Sequence, residues 1–218
     1  MPDFTNSVEK FRESLPNKST ILKDYDDVHK AFMDNLSRLK GKGKEIRYLI
    51  VGEAPQSYVK YFYNPANEKD TAFLRKTSVL NALGKQGKKQ KKSEMLEILS
   101  DYGILIVDLY PLPLDSYYYK HPNFYDRKEL ESYWCGIIKE LSGMVSQKCK
   151  IAVRYNKLAD RSDFIRFKEL LENEFNIKPV DPVKLGGGSE KPDGGRTNNM
   201  DINETEFRKI LNNAENNL

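Results

Sequence analysis

The chain has 218 residues, 39% of them apolar and 31% charged, and 36 Lys and Arg against 32 Asp and Glu leave a net charge of +4. This length favours a single domain whose core needs no staples, and the balance of apolar and charged residues excludes an intrinsically disordered chain. No apolar run approaches the ~18 residues of a membrane span, and two cysteines, Cys135 and Cys149, with two His cannot by themselves build a conventional zinc or iron–sulfur site; a soluble, cytoplasmic, monomeric protein without membrane, metal cluster or cofactor is expected.

Residues 1–19 show little periodicity. Leu22, Tyr25, Val28, Phe32, Leu36 and Leu39 then recur every three or four positions and predict an amphipathic helix over about 21–39. It belongs to a helical extension over about 1–44, broken by Lys40-Gly41-Lys42-Gly43-Lys44. Tyr48-Leu49-Ile50-Val51, followed at once by Gly52, has the pattern of a strand buried on both faces of a parallel sheet. Asp70 can cap a helix to about Leu83, and after a lysine-rich loop Ser93 can cap another bearing Met95, Leu96, Ile98 and Leu99. Gly103 introduces a second apolar strand, Ile104 to Val107. Asp126 with Glu129 resembles a capping box for a long helix whose inner face carries Leu130, Trp134, Ile137, Leu141 and Val145. Cys149 to Val153 reads as a third strand and Ser162 to Phe175 as a helix. Ile177 to Val183 reads as a fourth strand, interrupted by Pro179 and Pro182. A glycine-rich polar segment from Gly186 to about Asn199 precedes a last helix capped by Asn203.

Strand followed by helix, four times over, predicts one α/β domain over 1–218: a three-layer α/β/α sandwich around a central four-stranded, mainly parallel sheet. Ligands of such sheets bind beyond the carboxyl ends of strands. The segments there are Gly52-Glu53-Ala54-Pro55, Asp108-Leu109-Tyr110-Pro111 and Arg154-Tyr155-Asn156. Glu53, a carboxylate at a strand exit, is placed to position water or to stabilise positive charge on a sugar. Tyr58, Tyr61, Phe62 and Tyr63 follow within one short stretch; such rings either stack on nucleobases or pack a loop onto the core. Arg154 either binds phosphate or pairs with Asp108. Two basic clusters, one from Arg38 to Arg47 and one formed by Lys85, Lys88, Lys89, Lys91 and Lys92, either favour a phosphate backbone through counterion release or are solvated surface.

The order of segments resembles the uracil-DNA glycosylase superfamily, especially its iron–sulfur branch, whose first motif is a strand ending in G-E-A-P-G. Leu49-Ile50-Val51-Gly52-Glu53-Ala54-Pro55 matches it, with Gln56 in place of the last Gly. Ala72-Phe73-Leu74-Arg75 is similar to that branch's P-F-x-G segment without its glycines. Ile106 to Pro111 resembles its proline-bearing loop, Glu131 to Cys135 its E-x-x-x-C helix start, and Ile151 to Ala159 its strand running into G-x-x-A. The resemblance covers about residues 45–185. It implies a DNA N-glycosylase in which the base is drawn out of the stack and Phe73 or Phe62 stacks on it, while Glu53 orients water against an oxocarbenium-like sugar. Ala54, Pro55 and Tyr110 would border the base, and Asp108 would face its edge. Lys85, Lys88, Lys89, Arg154 and Arg196 would contact DNA phosphates, as would the rest of the 85–92 lysine run.

The departures bear on the substrate. Of the branch's four cluster cysteines only Cys135 stands near a corresponding position. Neither His29 nor His121 lies where the family's H-P-S-like last motif would follow the fourth strand, and the uracil-reading asparagine is replaced by Leu105 or Asp108. A carboxylate accepts well from exocyclic amines, so a base other than uracil is admitted. The alternative function is a non-catalytic member of the same fold that binds nucleic acid or a nucleotide. Tyr117-Tyr118-Tyr119 is either a stacking platform or loop packing, and Trp134 is expected in the core.

Overall fold

The three apolar runs become the centre of the sheet in a computed structural model that describes residues 18–55, 58–64, 92–112, 125–154, 156–179, 181–185 and 209. Strands β1 (Ile46–Gly52), β2 (Ile104–Asp108), β3 (Val145–Val153) and the short β4 (Val183–Lys184) lie in the order β2-β1-β3-β4. Every neighbouring pair is parallel, so the sheet is wholly and not mainly parallel. Leu49, Ile50, Val51, Leu105, Ala152 and Val153 are at most 1% exposed, as continuous apolar strands covered on both faces must be.

Four helices accompany the sheet among the described residues: α1 (Lys18–Gly41), α2 (Lys92–Asp101), α3 (Arg127–Leu141) and α4 (Ser162–Phe175). The arrangement is consistent with a three-layer α/β/α sandwich. The stripe Tyr25, Val28, Phe32, Leu36 and Leu39 buries α1 in the same hydrophobic cluster as the strands. Helices α3 and α4 meet through Trp134 and Phe167, whose ring centroids are 5.8 Å apart. Trp134 is a core residue, and its indole N–H donates to the Leu109 carbonyl at 2.8 Å.

Several boundaries differ from the sequence expectation for local reasons. Helix α3 ends at Leu141 and not at Val145, because Gly143 takes φ +75° and turns the chain into β3. Strand β3 therefore begins at Val145, four residues before the apolar pattern announces it; Gln147 and Lys148 in its first half are exposed. Pro179 and Pro182 lack the N–H a ladder needs, and β4 shrinks to Val183–Lys184 behind them. Helix α2 starts at Lys92, which puts Ser93 inside it and not at its cap. Asp126 does cap α3, accepting from the N–H groups of Lys128 and Glu129 at 2.9 and 3.2 Å. The helix expected over 70–83, Tyr117 to Tyr119, His121, the Gly186 to Asn199 segment and all of the last helix except Lys209 lie outside the described residues.

The strand order positions the site. From β1 the chain passes to β2 on one side and later to β3 on the other, so the order reverses at the carboxyl end of β1, where α/β sheets open a crevice. Backbone bonds keep the strand exits side by side. Leu109 N–H donates to Gly52 O at 3.0 Å, Tyr110 N–H to Glu53 O at 2.9 Å, and Arg154 N–H to Val51 O at 3.0 Å.

Candidate active site

Gly52 lies opposite Asp108 in the β1–β2 ladder. A Cβ at Gly52 would stand 2.5 Å from Asp108 Oδ1, so only glycine leaves room for this carboxyl to lie over the end of β1. Burial pushes Asp108 up to about 7, against the opposing pull of the Arg154 charge. Near neutral pH it is both acid and carboxylate in comparable amounts. Arg154 is the first residue past β3, and its Nε and Nη2 are enclosed by protein. Its charge acts on Asp108, holding that carboxyl's proton affinity down.

One residue beyond Gly52, Glu53 points across the strand-order reversal toward the start of α4. Arg161 Nη1 donates to Glu53 Oε1 at 2.5 Å, and Arg161 Nη2 donates to the Tyr110 hydroxyl oxygen at 2.7 Å. That hydroxyl donates in turn to Asp163 Oδ2 at 2.6 Å. The guanidinium carbon lies 5.1 Å from the centroid of the Tyr110 ring. On the ring's own account, Tyr110 stacks on Tyr125 with centroids 5.1 Å apart and planes 8° from parallel. The Glu53 side chain is only 13% exposed while that of Arg161 is 42% exposed. Burial raises the Glu53 carboxyl above its usual range, and the charge and hydrogen bond of Arg161 act the other way. Oε2 of Glu53 receives no hydrogen bond from the described residues. A carboxylate with one oxygen clamped and the other open, less acidic than in water, has the form of a group that takes a proton from water.

The aromatic stretch after this turn is used differently. Tyr61, Phe62 and Tyr63 are 5 to 8% exposed and sit in the core, with Phe62 edge-on to Tyr63 at 4.9 Å and Tyr63 edge-on to Phe32 of α1 at 6.0 Å. The Tyr63 hydroxyl donates to Ile106 O at 3.0 Å and accepts from Ile106 N–H at 2.8 Å. Strand β2 is an outer strand of the sheet, and this hydroxyl occupies a backbone donor and acceptor that its edge would otherwise present. Lys92 closes the same loop: its buried Nζ donates to Tyr61 O and Asn64 O, both at 2.6 Å, and burial lowers it to about 8. The expectation that the whole 85–92 lysine run contacts phosphate is corrected at Lys92, whose ammonium serves two carbonyls. In the other basic cluster, Lys42 Nζ lies 3.0 Å from Asp101 and 3.3 Å from Glu97, and Arg38 bonds Asn35.

Glu53, Asp108, Tyr110 and Arg154 are thus brought to one end of the sheet. Pro55 beside them is buried and Ala54 half-buried against the core; Phe62 is in the core loop. Phe73, Lys85, Lys88, Lys89 and Arg196 lie outside the described residues. Sequence reasoning missed Arg161, Asp163 and Tyr125. A signal for the first two existed in the topology: they begin the helix that follows β3, and so belong to the same end of the sheet as Arg154. Among the described residues no group of three or more His, Cys, Asp and Glu is arranged to hold a metal ion, and no helix is long and apolar enough to cross a membrane. Comparison with protein-family models, with curated proteins and with solved structures found no match to this chain.

Proposed function

We propose that this protein is a DNA N-glycosylase of the uracil-DNA glycosylase type, hydrolysing the bond between a damaged or deaminated base and its deoxyribose. The observation that carries the reading is the Glu53 carboxyl, sheltered at the strand-order reversal with one oxygen held by Arg161 and the other without a hydrogen bond from the described residues. In the step, a water oxygen bonds to C1′ and a water proton passes to Glu53 Oε2. The C1′–N bond breaks with its electron pair leaving on the base, which takes up a proton from solvent to give free base and an abasic sugar, and Glu53 then returns its proton to solvent. The Glu53 charge also stabilises the oxocarbenium character that develops on the sugar. Asp108 faces the base edge: its acid form donates to a ring carbonyl oxygen, and its carboxylate accepts from an exocyclic amine. Ala54, Pro55 and Tyr110 border the base, Phe73 stacks on it in place of Phe62, which the core loop occupies, and Arg196 with Lys85, Lys88 and Lys89 holds DNA phosphates.

The test is release of free base from oligonucleotides carrying uracil, xanthine or hypoxanthine, single- and double-stranded, followed by alkaline strand cleavage. Release of one of these bases by the wild type is expected; release of none, together with tight salt-dependent binding, would establish the second reading. That reading, a non-catalytic binder of nucleic acid or a nucleotide, is favoured by the same bond seen from the other side, since Arg161 already neutralises Glu53 at 2.5 Å.

A further inference from the structure

We propose that Arg161 is the positioning residue of Glu53, the group that fixes which carboxylate oxygen meets water; this rests on the glycosylase reading and adds to it. Arg161 immediately precedes α4 and is itself anchored, its N–H donating to Leu158 O at 3.1 Å and its carbonyl accepting from Ile165 N–H at 3.0 Å. From that fixed backbone the guanidinium reaches two different strand exits at once, Glu53 after β1 and Tyr110 after β2. A planar fork with several N–H donors can hold both; a single ammonium cannot hold the same pair with the same geometry. The far end of the fork is braced as well, because the Tyr110 hydroxyl bonds Asp163 in the first turn of α4 and the Tyr110 ring is stacked on Tyr125. Glu53 is thus clamped through Oε1 by a group that is tied to three elements, and Oε2 is left to aim.

Among the described residues, the charged and titratable groups around Glu53 are Arg161, the Tyr110 and Tyr125 phenols, Asp163 behind Tyr110, and Asp108 with Arg154 on the adjoining strand ends. Of these, Arg161 is the one that holds the Glu53 proton affinity down. Its loss moves the acid limb of the rate profile to higher pH, since the carboxylate that accepts the water proton then forms later.

The experiment compares wild type with Arg161→Gln and Arg161→Lys by two readouts. Carbon-13 carboxyl NMR, with the Glu53 signal assigned by its loss in Glu53→Gln, should place the Glu53 midpoint higher in Arg161→Gln by about one pH unit, with Arg161→Lys between. Base release should lose kcat about tenfold near pH 6 in Arg161→Gln, with KM for the oligonucleotide within about threefold and part of kcat restored at higher pH and in Arg161→Lys. An unmoved Glu53 midpoint, or a rise in KM with kcat unchanged, overturns the positioning role. A moved midpoint in a protein that releases no base from any oligonucleotide keeps the Arg161–Glu53 coupling and overturns the glycosylase reading instead.

Discussion

Two neighbouring regions look alike in sequence and are opposite in use. The loop 58–64 and the exits of β1 and β2 both combine tyrosines with nearby basic residues. In the loop, the polar atoms end on backbone: Lys92 on two carbonyls, the Tyr63 hydroxyl on both groups of Ile106, and the Asn64 amide on Tyr58 O at 2.8 Å. At the strand exits, side chains end on other ionisable side chains, in the series Glu53, Arg161, Tyr110, Asp163. The first pattern closes a structure and leaves nothing for a ligand. The second keeps titratable groups in contact with each other, and burial raises the proton affinities of Glu53 and Tyr110 among them, which is the condition for chemistry. What separates an aromatic core loop from an aromatic site is the destination of its polar atoms, not the number of its rings.

That contrast is open to attack from both sides. The largest effect on stability is expected at Lys92. Lys92→Met keeps the apolar stem and strips donors from two carbonyls, and should destabilise the fold by about 3 kcal/mol in urea unfolding; a loss below about 1 kcal/mol would mean that the loop does not depend on this clamp. Asp108→Asn should act in the reverse sense and through pH. The folded carboxyl sits at about 7 against 3.8 when unshifted, so its contribution to stability is fully present below about pH 4 and is lost as pH rises through about 7. Urea titrations from pH 4 to 8 should show the wild type losing stability over this window while Asp108→Asn stays nearly flat, with the variant about 2 kcal/mol the more stable at pH 8. Parallel curves would remove Asp108 from the coupled group. Tyr63→Phe, the smallest change, should cost about 1 kcal/mol and leave base release intact. If it abolished base release without unfolding the chain, the division between loop and site would fail.

The sheet was largely legible because its strands are written as uninterrupted apolar runs ended by Gly52 or Asp108, and α4 because its apolar face and its Ser162 start agree. The first half of β3 was not, since Ser146 to Lys148 is a polar stretch without an apolar period and falls where the register with β1 shifts between Ile46 and Tyr48. Within the site, Glu53, Asp108 and Tyr110 were visible as polar residues standing directly after buried strands. Arg161 was invisible locally, being 108 residues from the carboxylate it binds and placed there only by the order in which strands join the sheet. Lys92 misled for a related reason. A lysine at the end of a lysine run has the charge of a phosphate contact, and only tertiary packing decides that its ammonium turns inward to carbonyls.

The most direct measurement is single-turnover base release by Glu53→Gln beside the wild type, on whichever deaminated-base oligonucleotide the wild type releases its base from, with circular dichroism confirming that both are folded. Glutamine keeps the shape and the contact with Arg161 but cannot take the water proton, so release should slow by about 100-fold or more. Equal rates in the two proteins would contradict the account.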